Sequence, residues 1–419
     1  MAGGKGTRIS SIASDIPKPM IKIGGKPVLE HEINLLREQG LTDIIITTSH
    51  LGNIISNYFG DGSNFGVHIE YFHEEVPLGN AGALFQLKDK LIEDFLLLNA
   101  DSIFNIDFQR FIYFHKEKGG LATIFTHPNS HPFDSGLIIA DKNDCVTKWL
   151  TKEDNRPTWY KNRVNAGLHI LSPKVLEKTI DKEKIDLDRD ILKPLVNTGV
   201  LYAYNSPEYV KDMGTPERFA QVCKDFENGI VQSKNLFKKQ KAIFLDRDGT
   251  LNKYVGFLRN IDDLELIPGV SNAIRRINNS PYLAIVITNQ PVIARGEVTY
   301  EELDEIHNKL ETLLGIDGAY LDAIYYCPHH PDKGFEGEVK ELKINCDCRK
   351  PKPGMLLKAA KDFNIDLSQS WMIGDDKNDI LAGQAAGCKT ILISEKDCEE
   401  IQTMRYNNLV DAVEHIIKD

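Results

Sequence analysis

One pattern runs along this chain twice, and that most constrains its fold. Short apolar runs alternate with stretches of helical spacing, stop at a polar, basic segment over residues 226–240, and then restart. The runs at 41–47, 95–99, 122–125 and 168–171 read as strands, with 28–39 as a helix between strands. After the break, 241–245, 282–288, 371–374 and 390–393 read as strands, 268–278 as a helix and 401–417 as a terminal helix. Alternation of this kind builds α/β sheets. A chain of 419 residues is too long for one ordinary core. The expectation is a first α/β domain over 1–228, a linker over 229–240 and a second α/β domain over 241–419.

Charge and cysteine usage narrow the class. The chain carries 61 acidic and 50 basic residues, a formal charge of -11. Such a surface repels nucleic acid and acidic membrane, so an anionic substrate needs a locally basic site. No apolar run approaches the roughly 20 residues of a membrane span, and the Gly-rich, polar start is not a signal-peptide core. The seven cysteines are odd in number, and three crowd between Cys327 and Cys348. That points to a reducing compartment and a metal site rather than a disulfide framework, and the chain reads as cytoplasmic. The sequence leaves oligomeric state open.

In the second half, Phe244-Leu245-Asp246-Arg247-Asp248-Gly249-Thr250 sets two carboxylates just past an apolar strand. Ligands of open parallel sheets bind at that end. Asp246 can attack phosphorus to form an aspartyl-phosphate. Asp248 can protonate the leaving oxygen and then activate water. Both repel a phosphate, so a divalent cation, Mg²⁺ with oxygen ligands, is expected between them. The five residues Asp246 to Thr250 alone also suit a turn or a calcium loop. Three further segments supply the rest: Thr288-Asn289 offers a hydroxyl and an amide, Arg349-Lys350 offers positive charge, and Asp375 of Gly374-Asp375-Asp376 can complete the metal shell. Cys327-x-His329 and Cys346-x-Cys348 suit a closed tetrahedral Zn²⁺ site, structural because four protein ligands leave no place for water. The long polar loop between them lacks a core that a metal would supply. His330 is an alternative to His329.

These residues resemble the haloacid dehalogenase-like phosphatases. Asp246-x-Asp-Gly-Thr-Leu-Asn, Thr288-Asn-Gln, Ala294-Arg-Gly, Cys327-Pro-His-His-Pro and Cys346-Asp-Cys-Arg-Lys-Pro-Lys-Pro-Gly-Met are similar to the heptose bisphosphate phosphatase branch and to histidinol-phosphate phosphatases. The resemblance implies that Asp246, the backbone carbonyl of Asp248 and Asp375 bind Mg²⁺, that Arg295 and Arg349 bind substrate, and that His329 is the zinc ligand. The family has Ser-Gly where this chain has Pro291-Val292 beside the phosphate loop.

The first half opens Gly3-Gly4-Lys5-Gly6-Thr7-Arg8, whose backbone N–H groups can cradle phosphates with Arg8 adding charge. Pro17-Lys18-Pro19 sets a second cation on a stiff loop. Gly79 to Leu84 is a Gly-bearing turn where a base can approach backbone, and Asp101 and Asp212 end strands where they can hold Mg²⁺ on a nucleotide. With Gly25-Lys26-Pro27 and Asn165-Ala166-Gly167, these segments resemble the sugar-1-phosphate nucleotidyltransferases, in the family's order. The resemblance implies that Gly3, Gly4, Gly6, Thr7, Gly79 and Gly82 hold the nucleotide. Arg8 and Lys18 would stabilise charge, Asp101 and Asp212 bind Mg²⁺, and Lys152, Asn165 and Gly167 meet the sugar phosphate. This chain has Thr151-Lys152-Glu153 where the family often has Glu-Lys-Pro. The family also places a buried strand before the Gly-rich loop, so Met1 is expected to be an internal start.

The expected architecture is therefore two Rossmann-like α/β domains: a nucleotidyltransferase-type mixed sheet, then a haloacid dehalogenase-like parallel sheet with a zinc loop. The pairing implies a bifunctional enzyme for nucleotide-heptose biosynthesis. It would remove the 7-phosphate of heptose 1,7-bisphosphate and transfer a nucleotidyl group, with GTP favoured, to heptose 1-phosphate. The alternatives are a histidinol-phosphate phosphatase, and a first half that resembles a mannose-1-phosphate guanylyltransferase or binds nucleotide without turnover.

Overall fold

A computed structural model describes residue 1 and residues 16–177, 180–334, 336–394 and 404–418. The chain folds as two compact units, residues 1–127, 136–150 and 165–235 in one and 128–135, 151–164 and 236–419 in the other. Two loop segments of the first half thus pack with the second. The segment expected as a linker carries a helix, Ile230–Ser233, whose Ile230 and Val231 join an apolar cluster with Val28, Ile103 and Val222.

The first unit holds a mixed sheet in the order Leu201–Asn205, Ala122–His127, Val164–Leu171, Leu137–Ala140, Val146–Leu150. Phe95–Leu98 pairs antiparallel with Val164–Leu171. Separate two-stranded sheets are formed by Asp43–Thr48 with His68–His73, in parallel, and by Ser102–Asn105 with Tyr209–Asp212, antiparallel. Met1 lies along the Phe95–Leu98 side: its ammonium donates to the Leu98 carbonyl at 2.6 Å, and its carbonyl accepts from the Ala100 N–H at 3.2 Å.

In the second unit six parallel strands run in the order Ala323–Cys327, Tyr282–Asn289, Lys241–Leu245, Trp371–Gly374, Lys389–Ile393, Met404–Tyr406. After the half-buried Lys241, the strand Lys241–Leu245 is apolar and fully buried because both of its faces are covered. Ala242 and Phe244 pack with Met355, Leu356 and Ala382 on one side. Ile243 and Leu245 pack with Ile274, Leu310 and Val413 on the other. The chain order reverses at this strand, a topological switch point, so its carboxyl end opens into a crevice. The last strand is a departure from expectation: 401–417 reads as one helix, but Met404–Tyr406 pairs with Lys389–Ile393 and the helix spans Leu409–Lys418. Among the described residues no helix is long and apolar enough to cross a membrane.

Candidate active sites

Asp246 immediately follows the central strand of the second unit, and its N–H donates to the Ile373 carbonyl at 2.9 Å, which fixes the turn. Lys350 Nζ donates to Asp246 Oδ1 at 2.7 Å, lies 2.6 Å from Asp379 Oδ1 and donates to the Ile287 carbonyl at 2.8 Å. Oxygens of Asp246, Asp375 and Asp379 all lie within 4.8 Å of one another. Burial, with Asp379 adding to it and Lys350 opposing, pushes the Asp246 carboxyl up to about 7. Burial and then Asp246 push Asp375 up to about 6. Three carboxylates facing one ammonium are an excess of negative charge in a desolvated place, and their hard oxygen donors suit Mg²⁺.

The loop over this cluster requires its glycine. Gly249 has φ +88°, and a Cβ there would overlap Asp375 Oδ2. Thr250 Oγ1 donates to Asp375 Oδ1 at 3.3 Å. Asp248 lies outside the carboxylate cluster. Its side chain takes bonds from Arg247, Asn252 Nδ2 and Gln290 Nε2. Burial raises its pKa, but the Arg247 charge and these bonds outweigh it and hold the carboxyl below the usual range.

Thr288 is buried, its Oγ1 accepting from Gln290 Nε2 at 2.9 Å. The sequence position of Asn289 suggests an amide for phosphoryl oxygens. Here its Nδ2 donates to the Lys350 carbonyl at 3.1 Å and its Oδ1 accepts from the Lys350 N–H at 3.0 Å, so it positions Lys350. Arg295 stacks on the Phe257 ring, 3.9 Å from its centre. Arg349 Nη1 donates to the His329 carbonyl at 3.3 Å. Val292 of the divergent Pro291-Val292 pair is buried with Ile293, Val298 and Leu303. Asp379 and Arg247 were not singled out from sequence. The four-residue spacing from Asp375 to Asp379 along a helix start was the available signal for the first.

Cys327, His329, Cys346 and Cys348 converge, with ligand atoms within 4.8 Å of one another. Cys348 Sγ is 3.2 Å from both Cys327 Sγ and Cys346 Sγ, and 3.2 Å from His329 Nδ1. Zn–S bonds of about 2.3 Å in a tetrahedron give sulfur–sulfur distances of roughly 3.8 Å, so a small outward adjustment accommodates the ion. His330 turns elsewhere, its Nδ1 accepting from the Asp332 N–H at 3.2 Å.

In the first unit, Lys18 Nζ bonds Asp101 Oδ2 at 3.2 Å. Asp212 lies opposite Ser102 across an antiparallel pair, and the Met213 N–H donates to the Asp101 carbonyl. The two aspartates expected to share Mg²⁺ therefore stand on adjacent segments of the chain. Arg218 Nη1 spans both oxygens of Asp212, at 3.1 and 2.9 Å. Gly79 has φ +87° and packs so closely on the Ile185 backbone that a Cβ would overlap it. Gly82 opens a short helix against Leu78. Asn165 Oδ1 accepts from the Gly167 N–H at 3.0 Å, and Gly167 lies against Asn99. Lys152 is exposed, 3.9 Å from Glu153. Gly3, Gly4, Gly6, Thr7 and Arg8 lie outside the described residues.

Residues 1–229 match the nucleotidyl transferase family, and residues 347–413 match the HAD-hydrolase-like family. A D-glycero-beta-D-manno-heptose-1,7-bisphosphate 7-phosphatase of Haemophilus ducreyi is 41% identical over 184 residues, which is 42% of this chain and 98% of that protein. The chain belongs to the nucleotidyl transferase family and, through its second half, to the heptose bisphosphate 7-phosphatases. Among solved structures, HddC of Yersinia pseudotuberculosis is 28% identical with a TM-score of 0.47, covering 54% of this chain and 96% of that one. A D,D-heptose 1,7-bisphosphate phosphatase of B. bronchiseptica, solved with magnesium and phosphate, is 31% identical with a TM-score of 0.38, covering 43% of this chain and 99% of that one. The chain is thus a phosphatase joined to a nucleotidyltransferase.

Proposed function

We propose that this enzyme removes the 7-phosphate of D-glycero-D-manno-heptose 1,7-bisphosphate and then transfers a nucleotidyl group, GMP from GTP, to the heptose 1-phosphate that remains. The observation that carries the phosphatase step is the convergence of Asp246, Asp375, Asp379 and Lys350 at a strand switch point, in a half that is 41% identical to an enzyme named for that substrate. Asp246 attacks the 7-phosphorus. Asp248 gives a proton to the departing sugar oxygen, then takes one from the water that cleaves the aspartyl-phosphate. Lys350, held by Asn289 and the Ile287 carbonyl, balances the charge of Asp246 and Asp379. Asp246, Asp375 and the Asp248 carbonyl would hold Mg²⁺, which supplies Lewis-acid neutralisation of the phosphoryl oxygens. The three thiols and His329 would hold a structural Zn²⁺ that orders the loop over the sugar.

In the first unit Lys18 and Arg8 draw charge from the nucleotide phosphates as pyrophosphate leaves, and Asp101 and Asp212 would hold Mg²⁺ there. The exposed Lys152 and the Asn165–Gly167 turn receive the sugar phosphate. Asp246→Asn tests the first step: phosphate release is lost while zinc content stays at the wild-type level. Normal turnover by that variant contradicts the mechanism.

A further inference from the structure

Arg247 stands between the two aspartates, and its side chain has no solvent exposure. Burying a guanidinium is costly unless its donors are matched, and here three of the bonds go to Asp248. Nε donates to Asp248 Oδ1 at 3.1 Å, and Nη2 donates to Oδ1 at 3.0 Å and Oδ2 at 2.8 Å. Nη2 also reaches Gln290 Oε1 at 3.0 Å. The amide of the same Gln290 donates to Asp248 Oδ2 at 2.9 Å, which closes a ring of Arg247, Asp248 and Gln290. Nη1 meets His307 Nε2 at 3.2 Å. His307 is buried on the Tyr300–Ile316 helix and is kept neutral by burial and by Arg247, so it accepts that bond.

We propose that Arg247, braced by Gln290 and His307, is the positioning residue for Asp248: it fixes the carboxyl that must deliver a proton to the leaving oxygen. This rests on the reading of Asp248 as the general acid. Asp248, whose bonds favour the carboxylate, first takes a proton from solvent; that proton moves to the sugar oxygen as its bond to phosphorus breaks and the Asp246–phosphorus bond forms. Because Arg247 grips both oxygens, its loss misaims the acid without touching the nucleophile.

A sugar alkoxide needs that proton and a p-nitrophenolate does not, so the alkyl-to-aryl rate ratio reads the acid alone. Single-turnover phosphorylation is measured with heptose 1,7-bisphosphate and with p-nitrophenyl phosphate. Arg247→Lys, and separately His307→Gln in case the first variant folds poorly, should lower the ratio, Arg247→Lys by about 10-fold or more given the 10²–10⁴-fold worth of general acid catalysis. In an Asp248→Asn background, which has already lost the acid, Arg247→Lys should lower the ratio no further. An unchanged ratio in both single variants, or an equal fall in the Asp248→Asn background, overturns the proposal. If Asp248→Asn itself leaves the ratio unmoved, the acid assignment fails, a different result from failure of the Arg247 role.

Discussion

At the residue scale the sharpest constraint falls on Gly249. Its positive φ and its approach to Asp375 leave no room for a side chain. Gly249→Ala should push Asp375 away from Asp246, and a displacement near 1 Å costs about 10²-fold in rate. Steady-state phosphate release measures this, and near-wild-type activity would show that the loop can yield. Asp246, Asp375 and Lys350 were legible in sequence because each is a chemically apt side chain at a strand end or beside a Pro-rich turn. Asp379 was not, because it reads as one polar residue on the helix Lys377–Ala386, and only the fold turns it onto Lys350. Arg247 was hidden for the opposite reason: between two aspartates it passes for a surface charge, whereas the fold buries it completely. Asn289 was seen, but its amide is engaged by the Lys350 backbone, a partner 61 residues away that local pattern does not reveal.

At the scale of elements, alternation located the strands because those of the second unit's sheet interior are covered on both faces. Phe244 is fully buried there, and Phe244→Ala should cost about 3–5 kcal/mol, read from the second unit's denaturant transition. The end of the chain departs from its helical spacing for a definable reason. Helical spacing carries on through 401–417, but the Asn408 side chain accepts from the Asp411 N–H at 2.9 Å and starts the helix late, leaving Met404–Tyr406 to pair as a strand. The cysteine loop is the other element whose form depends on a few residues. Cys346→Ser should lower both bound zinc, measured by elemental analysis, and the melting temperature. A variant with full zinc content would remove Cys346 from the ligand set.

For the whole molecule, two α/β units were legible because the pattern stops and restarts near residue 230. The finer division was not, since alternation does not reveal that 128–135 and 151–164 pack with the second unit, nor that Ile230–Ser233 is a packed helix. The two proposed sites draw on separate carboxylates, so their chemistry should be separable. Asp212→Asn should abolish pyrophosphate release while phosphate release from the bisphosphate persists, and Asp246→Asn should do the reverse when heptose 1-phosphate is supplied. Parallel loss of both activities in either variant would contradict two independent sites. The most direct measurement is product release by the full chain given both anomers of heptose 1,7-bisphosphate, with histidinol phosphate as the competing substrate and GTP present. Phosphate release from one heptose anomer is expected at a kcat/KM well above that for histidinol phosphate, followed by pyrophosphate release. Preferred hydrolysis of histidinol phosphate, or phosphate release from the heptose with no pyrophosphate from any nucleoside triphosphate, would contradict it.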